Sequence, residues 1–163
     1  MGSFEILAEV AVGLAGFGTI AIVLARDPTR WDSADFFRTA ALFLSSLGAL
    51  FLALLPIGLA TAGLSEGVLW RTSSAVMALF IVAFAAILLR LRRRYLESAR
   101  WFGPALFATV SITAVLNLFA QVLNSSGLLF GPNATCAFFG IVWFLMYACL
   151  MLARIVFLSP ESR

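Results

Sequence analysis

The sequence predicts an all-α fold, a polytopic bundle of five transmembrane helices that forms one domain over residues 1–163. Three observations support this prediction. The chain is 63% hydrophobic and only 12% charged, whereas a soluble domain carries about 25% charged residues. Five continuous apolar stretches are each long enough for the roughly 20 residues that a helix needs to cross the hydrocarbon core. All 11 basic residues are Arg, and ten of them cluster at alternate ends of those stretches.

The apolar stretches place the five spans in order along the chain. Their continuous character excludes the alternating strands of a membrane β-barrel. The first stretch starts with acidic residues and is longer than the apolar part of a signal peptide, so we expect it to be retained as a helix. The predicted spans cover residues 4–25, 39–62, 68–89, 102–125 and 135–158.

Local sequence signals support these boundaries. Asp27-Pro28 predicts the end of the first helix, because Pro disfavours helical geometry in the residue before it. Asp35 suits the start of the second helix, where free backbone N–H groups accept a carboxylate. The Gly63–Gly67 and Ser126–Pro132 segments predict tight hairpins, and the Arg90–Trp101 segment favours an extension of the third helix beyond the membrane.

The arginines predict the orientation of the chain. Membrane proteins concentrate Arg in their cytoplasmic connections, which here places the first and third connections and the C-terminus in the cytoplasm and the N-terminus outside. The composition, with Arg but no Lys, favours a bacterial inner membrane. Arg71, on the outer side, is the exception. The arginines that follow the rule are Arg26, Arg30, Arg38, Arg90, Arg92, Arg93, Arg94, Arg100, Arg154 and Arg163.

An internal repeat is one interpretation of the last four spans. A shift of 64 residues superimposes Gly63-Leu64 on Gly127-Leu128 and Phe80 on Phe144 without a gap. The fold would then be one helix followed by two parallel two-helix repeats, an arrangement found in membrane transport proteins. Chance matching between Leu- and Ala-rich helices is the alternative.

Two acidic residues lie in the first span. Glu5 and Glu9 are four residues apart, so they share one face of the helix. At about 1.5 Å per residue, Glu9 lies about 7 Å inside the span. Ionisable groups within a membrane are costly and are candidates for function. The alternative is that both carboxylates extend to the interface with water.

Polar side chains follow one stripe of the fourth span. Thr113, Asn117, Gln121 and Asn124 are spaced by four, four and three residues, which places them on one face. Such groups are unsatisfied if they face lipid. They either hold helices together by hydrogen bonds or line a pore or ligand site.

The predicted topology brings these polar groups into one leaflet. We therefore predict a single cluster in the outer half of the bundle, with Glu5 above it. Its predicted members are Glu9, Arg71, Asn117, Gln121 and Asn124.

The sequence also excludes several kinds of chemistry. It contains no His, so it predicts neither His-based catalysis nor a His metal site. It contains no phosphate-binding Gly-rich loop and no hydrolase elbow. We therefore expect no enzyme, cofactor or metal, and no nucleic-acid partner, because the arginines serve membrane orientation. The expected partners are the lipid bilayer and further copies of the chain or other membrane subunits.

Three functions agree with these features. The first is a small homo-oligomeric channel for cations, with Glu5 and Glu9 at its outer mouth, since rings of acidic side chains select cations. The second is a non-transporting accessory or scaffold subunit of a larger membrane complex. The third is a small-molecule transporter that uses the polar stripe as its binding site.

Overall fold

The computed structural model describes residues 2–25, 33–95, 104–128 and 131–157. These residues form five α-helices and no strand. Each helix contains a segment that is long and apolar enough to cross a membrane, which confirms the predicted all-helical fold with five spans. The helices are α1 (Gly2–Ala25), α2 (Ser33–Thr61), α3 (Glu66–Tyr95), α4 (Pro104–Ser126) and α5 (Ala134–Phe157).

The helices differ from the predicted spans mainly at their polar ends. Helix α2 begins earlier and includes Asp35 and Arg38, whose side chains form an ion pair of 3.4 Å one turn apart. Helix α3 continues through Arg90 to Tyr95, as the Arg-rich segment predicts. Residues 102, 103 and 158, which the predicted spans included, lie outside the described residues, and so does the Asp27-Pro28 stop signal.

The connections after α2 and after α4 are both short and lie at the same end of the bundle, called here the hairpin end. Gly63 and Gly127 have φ angles of 78° and 76°. Residues that carry a side chain rarely adopt such positive values. After each glycine, a Leu N–H donates to the carbonyl five residues earlier, at 3.3 Å after α2 and 3.2 Å after α4. Both helices therefore end in the same glycine cap, the Schellman motif.

Substitution of Gly63 by alanine is expected to reduce the free energy of unfolding by about 1 kcal/mol, the cost of the left-handed conformation for a residue with a Cβ. An added Cβ at this position meets nothing within 4 Å, so the effect is one of backbone conformation alone. Thermal unfolding in detergent measures it. Gly67→Ala is the matched control, because Gly67 lies in helix α3 with equally open surroundings and should gain stability; equal effects of the two substitutions would contradict the cap.

The first helix packs against α2 and α5, while α2 also packs against α3 and α5, and α4 packs against α3 and α5. Close approach depends on small residues. The side chain of Leu42 fills the space that a Cβ at Gly18 would need, and the Phe80 ring does the same at Gly48. The α3/α5 interface is aromatic, with Phe84 edge-on to Phe144 at 5.3 Å between ring centroids. These contacts join α1, α2, α3 and α5 into the bundle against which α4 packs.

The start of α1 lies at the hairpin end. The Phe4 ring stacks on Trp70 of α3 at 5.5 Å and meets Phe138 of α5 edge-on at 6.2 Å. Because Trp70 and Phe138 lie near the beginnings of their helices, α1, α3 and α5 all begin at this end. The acidic residues of α1 and the amides near the end of α4 therefore lie toward the same end of the bundle.

Candidate functional site

The three carboxamides of the α4 stripe point into the bundle, toward α3 and α5. We call Asn117, Gln121 and Asn124 the amide seam. Gln121 and Asn124 are fully buried, and Asn117 is half-buried. The periodicity of the stripe places these residues on one face, and the bundle covers that face because three amides would be costly in contact with lipid.

Asn124 links three helices. Its Nδ2 donates to Ser74 Oγ on α3 at 2.7 Å and to the Asn133 carbonyl, just before α5, at 3.1 Å. Its Oδ1 accepts from the Asn133 backbone N–H at 3.0 Å. Asn133 in turn caps α5, because its Oδ1 accepts from the Cys136 N–H at 3.3 Å. The amide of Asn124 thus has a partner for both its donors and its acceptor.

Gln121 and Asn117 are only partly satisfied. Gln121 Nε2 donates to the Cys136 carbonyl of α5 at 2.7 Å and to Asn117 Oδ1 at 3.1 Å. The carbonyl acceptor fixes which way the Gln121 amide faces, since only its nitrogen can donate. Asn117 Nδ2 and Gln121 Oε1 are then buried without a hydrogen-bond partner. This pair contributes fewer hydrogen bonds to the bundle than Asn124 does.

Gly140 allows α4 to approach α5 at this point. A Cβ at Gly140 would lie 2.7 Å from Gln121 Nε2 and 3.3 Å from Asn117 Oδ1, and it would collide with Met77 Sδ of α3. Only a residue without a side chain leaves room for these three groups. Sequence reasoning missed Gly140, and it missed Asn133 as a partner of the amides. The signal that could have identified Gly140 is a glycine within an apolar span, which is typical of close helix packing in membranes.

Thr113 extends the seam toward the opposite end of the bundle. Its hydroxyl accepts from Trp143 Nε1 of α5 at 3.0 Å and donates to the Thr109 carbonyl of its own helix at 2.9 Å. The Trp143 ring also stacks on Tyr147, at 5.9 Å between centroids. It also meets Phe84 of α3 edge-on at 6.3 Å, so Trp143 joins the polar stripe of α4 to the aromatic α3/α5 interface.

Arg71 lies beside the seam rather than within it. Its side chain is exposed and crosses from α3 to the end of α4, where Nη2 would lie 3.1 Å from a Cβ on Gly127. The last carbonyls of a helix carry partial negative charge. The guanidinium is therefore favourably placed at the end of α4, on the α3/α4 side of the bundle.

Glu5 and Glu9 do not join the amides. Both are exposed, whereas Phe4, Ala8 and Ala11 of the same helix are buried. The buried residues turn one face of α1 toward α2 and α5, and the two carboxylates lie on the other face. The structure thus brings Asn117, Gln121 and Asn124 together, places Arg71 at their rim, and leaves Glu9 apart from them.

The seam consists of neutral groups, so it offers hydrogen-bond donors and acceptors but no general acid or base. The described residues contain no group of three His, Cys, Asp or Glu side chains able to hold a metal ion. Comparison of the chain with known protein families, with curated proteins and with solved structures gives no match.

Proposed function

We propose that the chain is the subunit of a homo-oligomeric pore for cations, with Glu9 of α1 in the wall of the pore. The orientation of α1 carries this proposal, because Glu5 and Glu9 both point away from their own bundle. A carboxylate that faces hydrocarbon is costly. A water-filled axis between several copies of the chain would keep these carboxylates hydrated.

The same face of α1 suits close packing around an axis. Gly13 and Gly16 lie one and two turns beyond Glu9, and a Cβ at either position would meet nothing within 4 Å. Such open glycines let another helix approach closely. Val12 and Ile20 are exposed along the same helix and would form an apolar constriction below the acidic residues, as in pores that gate by loss of water.

The amide seam serves the bundle in this proposal. Asn124 uses its hydrogen-bonding groups to join α3, α4 and the start of α5, which leaves none of them for a passing ion. If the arginines follow the positive-inside rule, the hairpin end lies outside the cell and the acidic residues form the outer mouth.

Glu9→Gln is expected to lower potassium flux through proteoliposomes about fivefold, because a change of about 1 kcal/mol in the energy of the ion at a constriction alters its rate by that factor. Chloride flux should not fall, so selectivity for cations should decrease. A potential-sensitive dye reports the flux. Glu66→Gln is the matched control, since it removes the same charge from an exposed residue in the first turn of α3 and should leave the flux unchanged.

The same experiment separates the alternatives. Potassium flux that Glu9→Gln leaves intact would contradict the role of Glu9 in the pore. Absence of flux, together with purification in a fixed ratio with foreign membrane subunits, would support an accessory role instead. Uptake of small neutral solutes that depends on Gln121 would support a transporter built on the amide seam.

A further inference from the structure

We infer that α1 of one copy of the chain docks on the α3/α4 face of the next copy, with Glu5 of the first paired with Arg71 of the second. This inference rests on the proposed homo-oligomer and specifies the contact that builds it.

Glu5 and Arg71 are complementary charges at the same depth. The stacked rings of Phe4 and Trp70, 5.5 Å apart, are their immediate neighbours in sequence, so the two charges lie at the same level of the bundle. Both side chains are exposed. Within the part of the chain that the structure describes, neither forms an ion pair within 4.0 Å. A charge of each sign at one level is thus available for a contact between copies.

The two charges lie on different sides of the bundle. Glu5 is on the face of α1 that points away from α2 and α5, whereas Arg71 crosses α3 toward Gly127 at the end of α4. A contact that pairs them therefore joins two different surfaces. Such head-to-tail contacts generate closed rings when the rotation between subunits closes, which is the symmetry that a pore around a central axis needs.

A 64-residue repeat, one of the two interpretations of the sequence, would give the α3/α4 face the form of a helix-docking groove. Phe80 and Phe144, which are 64 residues apart in the sequence, touch each other at 5.3 Å, as equivalent residues do beside a two-fold axis. The pairing of α2 with α5 and of α3 with α4 follows the same two-fold relation. This relation converts the α2/α5 face, which α1 covers, into the α3/α4 face.

Under this repeat, equivalent side chains would line the two faces. Gly18 of α1 lies against Leu42 and Leu152, and the repeat relates these to Leu106 and Leu88, which are only half-buried. The outer surfaces of α3 and α4 are apolar and exposed, with the side chains Leu79, Val82, Val115, Leu116, Phe119 and Val122. The apolar surface alone suits lipid equally well, and the complementary charges of Glu5 and Arg71 select a second copy as the occupant.

The contact between copies uses Glu5 and does not involve Glu9, which can therefore face the pore. Successive positions four residues apart are offset by about 40° around a helix, so Glu9 lies one turn deeper and to one side of Glu5. Glu5 then joins neighbouring subunits, while Glu9 faces the axis that the ring encloses.

Crosslinking between two differently tagged copies tests the contact. Both copies carry Cys136→Ala and Cys149→Ala; one also carries Glu5→Cys and the other Arg71→Cys. After coexpression and oxidation in membranes, we expect disulfide dimers that contain both tags. Because the two cysteines are on separate chains, a crosslink within one copy cannot contribute. Glu66→Cys in place of Arg71→Cys is the control and should give few such dimers.

Charge exchange provides a second measurement. Glu5→Arg should weaken association at least about fivefold in Kd, because it replaces an ion pair of about 1 kcal/mol with two like charges. Arg71→Glu in the same chain should restore association. Disulfide dimers that form only between two copies of the Glu5→Cys chain would overturn the head-to-tail contact. An oligomer in nanodiscs without the mixed crosslink would overturn this interface but leave the pore intact, and a monomer would overturn both.

Discussion

Gly140→Leu is expected to reduce the free energy of unfolding by about 3 kcal/mol or more. Overpacking of a filled interior costs about 1–3 kcal/mol. The leucine would also displace Gln121 Nε2, which lies 2.7 Å from the position of a Cβ, and so break its bonds to the Cys136 carbonyl and to Asn117. Each lost hydrogen bond between membrane helices adds about 0.6 kcal/mol.

A smaller substitution should give a graded result. The groups nearest to Gly140 are the ends of flexible side chains, Met77 Sδ and Gln121 Nε2, which alanine would push aside without moving the backbone. Gly140→Ala should therefore cost about 1–2 kcal/mol.

Unfolding by denaturing detergent or heat measures both variants. Gly58→Leu is the matched control, because Gly58 is exposed in helix α2 and an added Cβ meets nothing within 4 Å. If Gly140→Leu proved as stable as Gly58→Leu, α4 and α5 would not approach each other at this glycine.

Hydropathy and helical periodicity predicted the fold and part of the site. Apolar length identifies five spans because a bilayer imposes one minimum length on every crossing helix. Spacing alone placed Asn117, Gln121 and Asn124 on one face of α4, since that relation depends only on the geometry of a single helix. The glycine caps at Gly63 and Gly127 coincide with the predicted hairpins, because the end of a helix also depends mainly on the local sequence.

Which helix packs against each face of a span depends on contacts between helices, and the periodicity of a single span does not specify these contacts. Glu9 shares a leaflet with the amides in the predicted topology. The depth of a residue in the membrane, however, does not specify which way its side chain points around the helix axis. Packing of Ala8, Ala11 and Gly18 turns α1 so that Glu9 lies on the opposite face. Similarly, the role of Gly140 depends on where α3 and α4 pack against α5, and no pattern within a single helix specifies that position.

Arg71 shows how topology and packing combine. The positive-inside rule marked it as the exception among the arginines, which predicted an acidic partner, either Glu66 or one of Glu5 and Glu9. Within the described residues, Arg71 forms no ion pair with any of them. The structure places its guanidinium at the end of α4, where the helix dipole favours a positive charge. That local stabilisation and an ion pair with a neighbouring copy are compatible, because the side chain remains exposed.

Asn124→Leu is expected to destabilise the protein by about 2–3 kcal/mol, since it removes three hydrogen bonds worth about 0.6 kcal/mol each and leaves their buried partners unsatisfied. Those partners are Ser74 Oγ, the Asn133 carbonyl and the Asn133 N–H. The same substitution at Asn117, two turns away on the same face, is the matched control. Asn117 only accepts one bond from Gln121, and its own Nδ2 is already without a partner.

The stability difference between the two leucine variants therefore measures how unequally the amide seam holds the bundle. Asn117→Leu should cost less than about 1 kcal/mol. A double-mutant cycle of Asn124→Leu with Ser74→Ala should give a coupling between about 0.6 and 1.7 kcal/mol, the range for hydrogen bonds between membrane helices. Equal costs at Asn117 and Asn124 would contradict the hydrogen-bond assignments. They would show instead that the amides stabilise the helices only through packing, and that Asn124 does not join α3 to the start of α5.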